Sequence, residues 1–233
     1  MSHIIRRGAS QLIHFITFYS KKYHEQERRL RSLVTSLFPE AKYKSYDLDF
    51  EYRLTLYNES NKFGYFNFKP ELLLRYIGEI SENDIMIYLD TNDIPRHGLL
   101  EYVQERLNSN RYDLIVSSTN YLQLSMRHQK TSNFFSSVYT FMTGMKLQPE
   151  AGCVVIKKTD RSIKKLRLWL EHTRVISHLN FEVSDASSRH DQEALTNVLF
   201  ETTGNLFENW FLYKITKKKC LRMYINFEGN RFA

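Results

Sequence analysis

The segment Tyr88-Leu89-Asp90-Thr91-Asn92-Asp93 gathers oxygen-bearing side chains directly after the apolar run Ile85-Met86-Ile87-Tyr88-Leu89. A carboxylate at the end of a strand, followed by a second oxygen two or three residues on, can hold a hard divalent cation against a diphosphate. Asp90 is the leading ligand, with Asn92 or Asp93 assisting. The segment departs from a strict Asp-x-Asp, since the third position is Asn92 and the second carboxylate comes one residue later, and an amide oxygen is a weaker ligand than a carboxylate. Two other readings stay open. Cationic side chains can neutralise a diphosphate without metal, and the tetrapeptide can be an ordinary Asp/Asn turn in which Asp93 caps the next helix.

The elements that must position these residues follow from periodicity. Leu12 to Phe18 reads as a short buried strand, and Tyr23 to Phe38 as a helix with Leu30, Leu33, Val34 and Leu37 on one face. A second short strand spans Ala41 to Tyr46. The helix Pro70 to Ile80 presents Leu72, Leu73, Tyr76 and Ile77 together, with Pro70 suited to a first turn. After the strand ending at Asp90 come a helix from His97 to Leu107, a strand from Asp113 to Ser118, a less regular stretch from Tyr121 to Met145, a strand from Gly152 to Ile156 and a helix from Ser162 to Thr173. A last helix spans Gln192 to Phe200. Strands alternating with helices imply an α/β sheet, whose ligands gather at the carboxyl ends of its strands. Asp90 is at such an end.

Bulk properties narrow the class. The 233 residues suit one compact unit, and no repeat, low-complexity run or linker divides them. A single domain over residues 1–233 is expected, with 205–233 as a possible C-terminal extension. Hydrophobic residues at 42% and aromatics at 14% allow a sizeable core and exclude a disordered chain. Two cysteines, Cys153 and Cys220, are too few for a disulfide framework, which points to a reducing compartment. No run of roughly 20 apolar residues suggests a membrane helix, and no signal-type start is seen. Thirty-three Lys and Arg against 26 Asp and Glu give +7, a bias that suits nucleic acid, anionic lipid or a phosphate-rich small substrate.

Order and spacing of several segments carry a resemblance. Gly64-Tyr65-Phe66-Asn67-Phe68-Lys69-Pro70 precedes Asn83-Asp84-Ile85-Met86-Ile87-Tyr88-Leu89-Asp90 by one helix. Downstream follow Gln148-Pro149-Glu150-Ala151-Gly152-Cys153-Val154-Val155-Ile156-Lys157 and Arg189-His190-Asp191-Gln192-Glu193. Over about residues 11 to 200 this resembles bacterial polysaccharide and lipopolysaccharide-type glycosyltransferases. Here Asn83 precedes the strand's Asp84, and Thr91-Asn92-Asp93 replace the family's usual small residues.

The resemblance implies a GT-A-like α/β domain, with a central mixed, mostly parallel sheet flanked by helices. It also implies a nucleotide-sugar donor (UDP-linked, carrying a hexose such as galactose), a lipid-linked saccharide acceptor and a divalent cation, Mn or Mg. Several GT-A families add a late metal-ligating histidine, whereas no histidine follows His190 here.

On that resemblance Asp191 and His190 are the catalytic pair. The Asp191 carboxylate would act as base toward the acceptor or stabilise positive charge at the anomeric carbon, and it can equally cap the helix from Gln192. Gln192 would hydrogen-bond a sugar hydroxyl, and Lys69 would reach the diphosphate. Tyr65 or Phe66 would cover the base or the sugar. Thr17 and Phe18, with Tyr19, lie where such folds cradle the base. Lys69 and the aromatics also suit plain surface and core roles. Asp47, Asp49 and Glu51 read as a loop or acceptor-rim feature. Lys217-Lys218-Lys219 would lean on anionic lipid at about 1 kcal/mol per cation, a peripheral place on the inner face of the cell membrane for a cytoplasmic enzyme.

Two other classes compete. A nucleotidyltransferase of related fold would also want a strand-end Asp and a Lys, but would bring a Gly-rich loop near the first strand, where only Gly8 lies. A basic nucleic-acid-binding protein would leave the Asp90 cluster unused and would concentrate its cations in one stripe, whereas these are scattered. No nucleic-acid partner is expected.

Overall fold

The computed structural model describes residues 11–47, 68–108, 112–122, 147–179, 190–203 and 225–227. Strand β1 (Ile13–Tyr19) leads through a single 3-10 turn to α1 (His24–Leu37) and β2 (Lys42–Asp47). Then come α2 (Phe68–Glu79), β3 (Ile85–Leu89), β4 (Asp93–Pro95), α3 (Leu99–Asn108), β5 (Leu114–Leu122), β6 (Leu147–Lys157), α4 (Asp160–Leu179), α5 (His190–Thr203) and β7 (Ile225–Phe227).

The main sheet has the order β2-β1-β3-β6-β5. β1 runs parallel to β2 and to β3, while β6 opposes both β3 and β5. Four of the five strands therefore point one way, which is the expected mixed, mostly parallel α/β sheet. The expected elements recur with ends moved by a few residues. The short strands β4 and β7, which pair antiparallel, were not legible, and β7 ties part of the 205–233 segment to the turn after Asp90.

β3 is buried along its whole length, because both faces of the sheet are covered and a two-sided strand must be apolar throughout. Alternation decides which core each residue enters. Met86 and Tyr88 join Leu72, Leu73, Ile77, Leu166, Trp169 and Leu195 of α2, α4 and α5. Ile85, Ile87 and Leu89 join Leu30, Val34, Leu99 and Val103 of α1 and α3. Each fully buried aliphatic side chain contributes about 1.5–3 kcal/mol over its exposed state.

Polar ties fix the end of the sheet away from Asp90. Buried His14 bridges Tyr76 Oη at 2.9 Å and Asp84 at 3.2 Å, and Asp84 also accepts the Leu12 and Ser81 N–H groups. Buried Asp113, just before β5, accepts Arg161 at 2.7 Å and Lys165 at 2.6 Å. Lys165, part of a basic cluster in the sequence, is thus committed to the fold. Among the described residues, no helix is long and apolar enough to cross a membrane. Arg6-Arg7, Asp49, Glu51, Tyr65, Phe66 and Lys217-Lys218-Lys219 lie outside the described residues.

Candidate active site

Asp90 follows the last residue of β3, and its N–H donates to the Gly152 carbonyl on β6 at 2.7 Å. The Asp93 N–H donates back to the Asp90 carbonyl at 2.9 Å, closing a tight turn with Thr91 and Asn92 at its corner. Asp93 begins β4 rather than capping α3, which starts only at Leu99. A Cβ placed on Gly152 would lie 3.0 Å from Asp90 Oδ2 and 3.0 Å from Asp93 Oδ2. The two carboxylates therefore converge on a spot that the missing side chain leaves open. Of the two assisting candidates, Asp93 is the one that meets Asp90 there.

Lys69, on the first turn of α2, enters the same site from the other core. Its side chain is 7% exposed, with Nζ at 3.2 Å from Asp90 Oδ1 and 3.2 Å from Asp191 Oδ2. It also donates to the Ala151 carbonyl at 3.3 Å and lies over the Tyr88 ring, 5.5 Å from its centroid. Burial alone would lower the pKa of this ammonium, but the carboxylates of Asp90 and Asp191 outweigh it and raise the pKa. The Tyr88 hydroxyl donates to Asp90 Oδ1; burial, and then Asp90, push the phenol well above its ordinary value.

Asp191 is the second residue of α5, and its two oxygens divide their work. Oδ1 accepts the Gln192 N–H at 2.9 Å while Oδ2 faces Lys69. Asp191 therefore lies inside the first turn of α5 rather than capping a helix that starts at Gln192, and a helix N-terminus favours a carboxylate there. Burial raises the Asp191 pKa, and Lys69 partly offsets that. Trp169 of α4, wholly buried, donates Nε1–H to the Asp191 carbonyl at 2.8 Å and anchors this end of α5. Gln192 is buried, and its Oε1 has no hydrogen-bond partner among the described residues. His190 opens α5, and its side chain lies outside the described residues.

Thr17 and Phe18 stand beneath the site. Thr17 is wholly buried and donates Oγ1–H to the Leu89 carbonyl at 2.6 Å, tying β1 to the end of β3. Phe18 packs on Tyr88, with ring centroids 4.9 Å apart, and on Tyr46 and Phe68. Asp47 ends β2.

Three carboxylates around one lysine leave an excess of negative charge. Asp93 shows it most: burial first, and Asp90 second, lift its pKa to about 7. A divalent cation between Asp90 and Asp93 would relieve that repulsion, and the open spot over Gly152 provides converging hard oxygens for it. Among the described residues, no group of three or more His, Cys, Asp or Glu side chains could hold a metal. A cation here would thus take two protein carboxylates and complete its shell from phosphate and water, as Mg2+ commonly does.

Sequence reasoning singled out Asp90, Asp93, Lys69, Asp191 and Gln192, and passed over Tyr88, Gly152 and Trp169 as site residues. Tyr88 was signalled by its place two residues before Asp90 on a strand, which puts both on one side. Gly152 was signalled only as a glycine at the start of a strand pattern, a mark of a bulge or a close approach. Nothing in the sequence points Trp169 at Asp191.

Among solved structures, the chain is similar to mouse xyloside xylosyltransferase 1 in its apo form, at 12% identity over 93% of this chain and 94% of that one, with a TM-score of 0.46. It is similar to the galactosyltransferase LgtC in complex with donor and acceptor sugar analogs, at 14% identity over 79% of this chain and 70% of that one, TM-score 0.40. A third is a glycosyltransferase involved in glycosylation of the major capsid of PBCV-1, at 9% identity over 69% of this chain and 66% of that one, TM-score 0.40. No family model and no curated protein sequence matches the chain.

Proposed function

We propose that this chain is a GT-A-type glycosyltransferase that moves a hexose from a nucleotide-sugar, a UDP-sugar first among them, to a saccharide acceptor in surface polysaccharide or lipopolysaccharide synthesis. The observation that carries this reading is the buried ammonium of Lys69, shared at 3.2 Å each by strand-end Asp90 and helix-start Asp191. One basic group thereby joins the two acidic segments that the sequence keeps about a hundred residues apart. Departure of a nucleoside diphosphate needs positive charge already in place where negative charge grows. Lys69 supplies one such charge. A divalent cation held by Asp90 and Asp93, when bound, supplies Lewis-acid neutralisation of the diphosphate.

Asp191 is fixed by Lys69, by the Gln192 N–H and, through its carbonyl, by Trp169. A carboxylate so held takes the acceptor's proton in an inverting reaction, or stabilises positive charge at the anomeric carbon in a retaining one. The unpartnered Oε1 of Gln192 accepts a hydrogen bond from a donor hydroxyl, His190 lies next to Asp191 in sequence, and the family resemblance assigns Tyr65 to the donor. Thr17 and Phe18 act on the donor through Leu89 and Tyr88, which they hold. The lipid-linked acceptor, Lys217-Lys218-Lys219 on anionic lipid and a cytoplasmic, membrane-peripheral place belong to this same proposal.

The test is nucleotide release from a panel of UDP-hexoses and GDP-hexoses with Mn2+ and a mixture of bacterial glycolipids. One UDP-sugar is expected to turn over, with a loss of about 100-fold or more in Asp191→Asn. Turnover of none of them, by protein that is folded, contradicts the proposal.

A further inference from the structure

Strand β6 breaks its alternation at Gly152. Ala151 packs into the core beneath α2, α4 and α5, whereas Cys153, two residues on, packs into the opposite core beneath α1 and α3. The pairing with β5 shows the same slip: Val116 pairs with Val154 and Ser117 with Glu150, so residues 151–153 form a bulge with no counterpart on β5. Bulges of this kind re-aim backbone groups beside functional sites. Here the Ala151 carbonyl accepts Lys69, and the Gly152 carbonyl accepts the Asp90 N–H. Gly152 is thus held in place by the residue whose carboxylate crowds it.

We propose that Gly152 is a positioning residue whose bare α-carbon sets the spacing of the Asp90 and Asp93 carboxylates, and thereby which divalent cation the pair accepts. This rests on the reading of Asp90 and Asp93 as cation ligands. A methyl group on Gly152 would meet Asp90 Oδ2 and Asp93 Oδ2 at 3.0 Å each, and Asp90 Cγ at 3.6 Å. Among the described residues, positive φ at glycine occurs only at Gly98, so the Gly152 backbone accepts alanine without strain. The carboxylates, not the strand, must give way. Mg2+ demands short, regular coordination, whereas Ca2+ tolerates longer and less regular bonds. Parting the two oxygens therefore penalises the small ion more.

The test is Mn2+ binding by electron paramagnetic resonance in the presence of UDP, with Mg2+ and Ca2+ as competitors. It compares the unmodified chain, Gly152→Ala and Asp93→Asn. Gly152→Ala is expected to weaken Mn2+ and Mg2+ by about 10- to 100-fold, to weaken Ca2+ less, and to keep the circular dichroism spectrum and melting temperature. Unchanged affinities and rank order in Gly152→Ala, with Mn2+ lost in Asp93→Asn, overturn the role of Gly152 and leave the cation pair standing. No Mn2+ binding by the unmodified chain overturns both. A uniform loss for every ion together with a large fall in melting temperature shows a merely structural glycine and also overturns the proposal. If Gly152→Ala does not fold, Gly152→Ala/Asp93→Ala removes one crowded carboxylate and is expected to fold; its failure would place the clash elsewhere and refute the inference.

Discussion

Asp93→Asn removes one of two carboxylates that meet without a cation between them, so it should stabilise the cation-free protein while destroying cation binding. Each tenfold change in proton affinity is worth about 1.4 kcal/mol. A carboxyl lifted from the ordinary aspartate range to about 7 therefore costs the folded state at most on the order of 4 kcal/mol once ionised. The Asp90 side chain is partly exposed, so solvent screens part of this cost and about 2 kcal/mol is expected. The sign follows from linkage. Between about pH 4 and pH 7 the folded chain retains a proton that the unfolded chain has released, so stability falls as pH rises through that window. Above pH 7 the full cost is present. Urea unfolding of the two proteins in EDTA should thus show the smallest gap near pH 4 and a gap that widens in the variant's favour up to pH 8, and Mn2+ should rescue only the unmodified chain. A variant that is less stable at pH 8, or a gap that does not change with pH, refutes the claim that burial, and then the neighbouring Asp90 carboxylate, make ionised Asp93 costly to the folded chain.

Lys69→Met strips the counter-ion from buried Asp191 and should cost about 3 kcal/mol in urea unfolding, the lower part of the range for a broken buried pair because the Gln192 N–H remains; nucleotide binding should be lost with it. Tyr88→Phe removes the hydroxyl that Asp90 accepts, and calorimetry should show about 10-fold weaker cation-dependent binding of UDP, with a stability loss of only about 1 kcal/mol. Trp169→Phe shrinks a wholly buried side chain and leaves the Asp191 carbonyl without its side-chain donor; a loss of about 2–3 kcal/mol is expected from the cavity and the hydrogen bond, together with a fall in kcat larger than the change in KM.

The scaffold was legible where one local signal dominated. The unbroken apolar run Ile85 to Leu89 announces a strand buried on both faces, and Leu72, Leu73, Tyr76 and Ile77 announce the helix that covers it. Asp90 was legible because a polar residue ending such a run must lie at the strand's carboxyl end. The choice between Asn92 and Asp93 was not, since it depends on how a four-residue turn folds back against β6. Gly152 and Ala151 matter through backbone atoms and an absent side chain, which residue type alone signals only weakly. Thr17 and Phe18 show the opposite limit: strand-end residues whose types suit a ligand equally suit the core, and only packing against Leu89 and Tyr88 separates the two. β4 and β7 are three-residue strands from distant parts of the chain, too short for any periodicity to show.

The most direct test of the central claim is isothermal titration of UDP, with and without Mn2+, into the unmodified chain and into Asp90→Ala, with a short DNA as control. Binding of UDP that requires Mn2+ and disappears in Asp90→Ala is the predicted result. UDP binding indifferent to both Mn2+ and Asp90, or no UDP binding alongside DNA binding with a steep salt dependence, would contradict it.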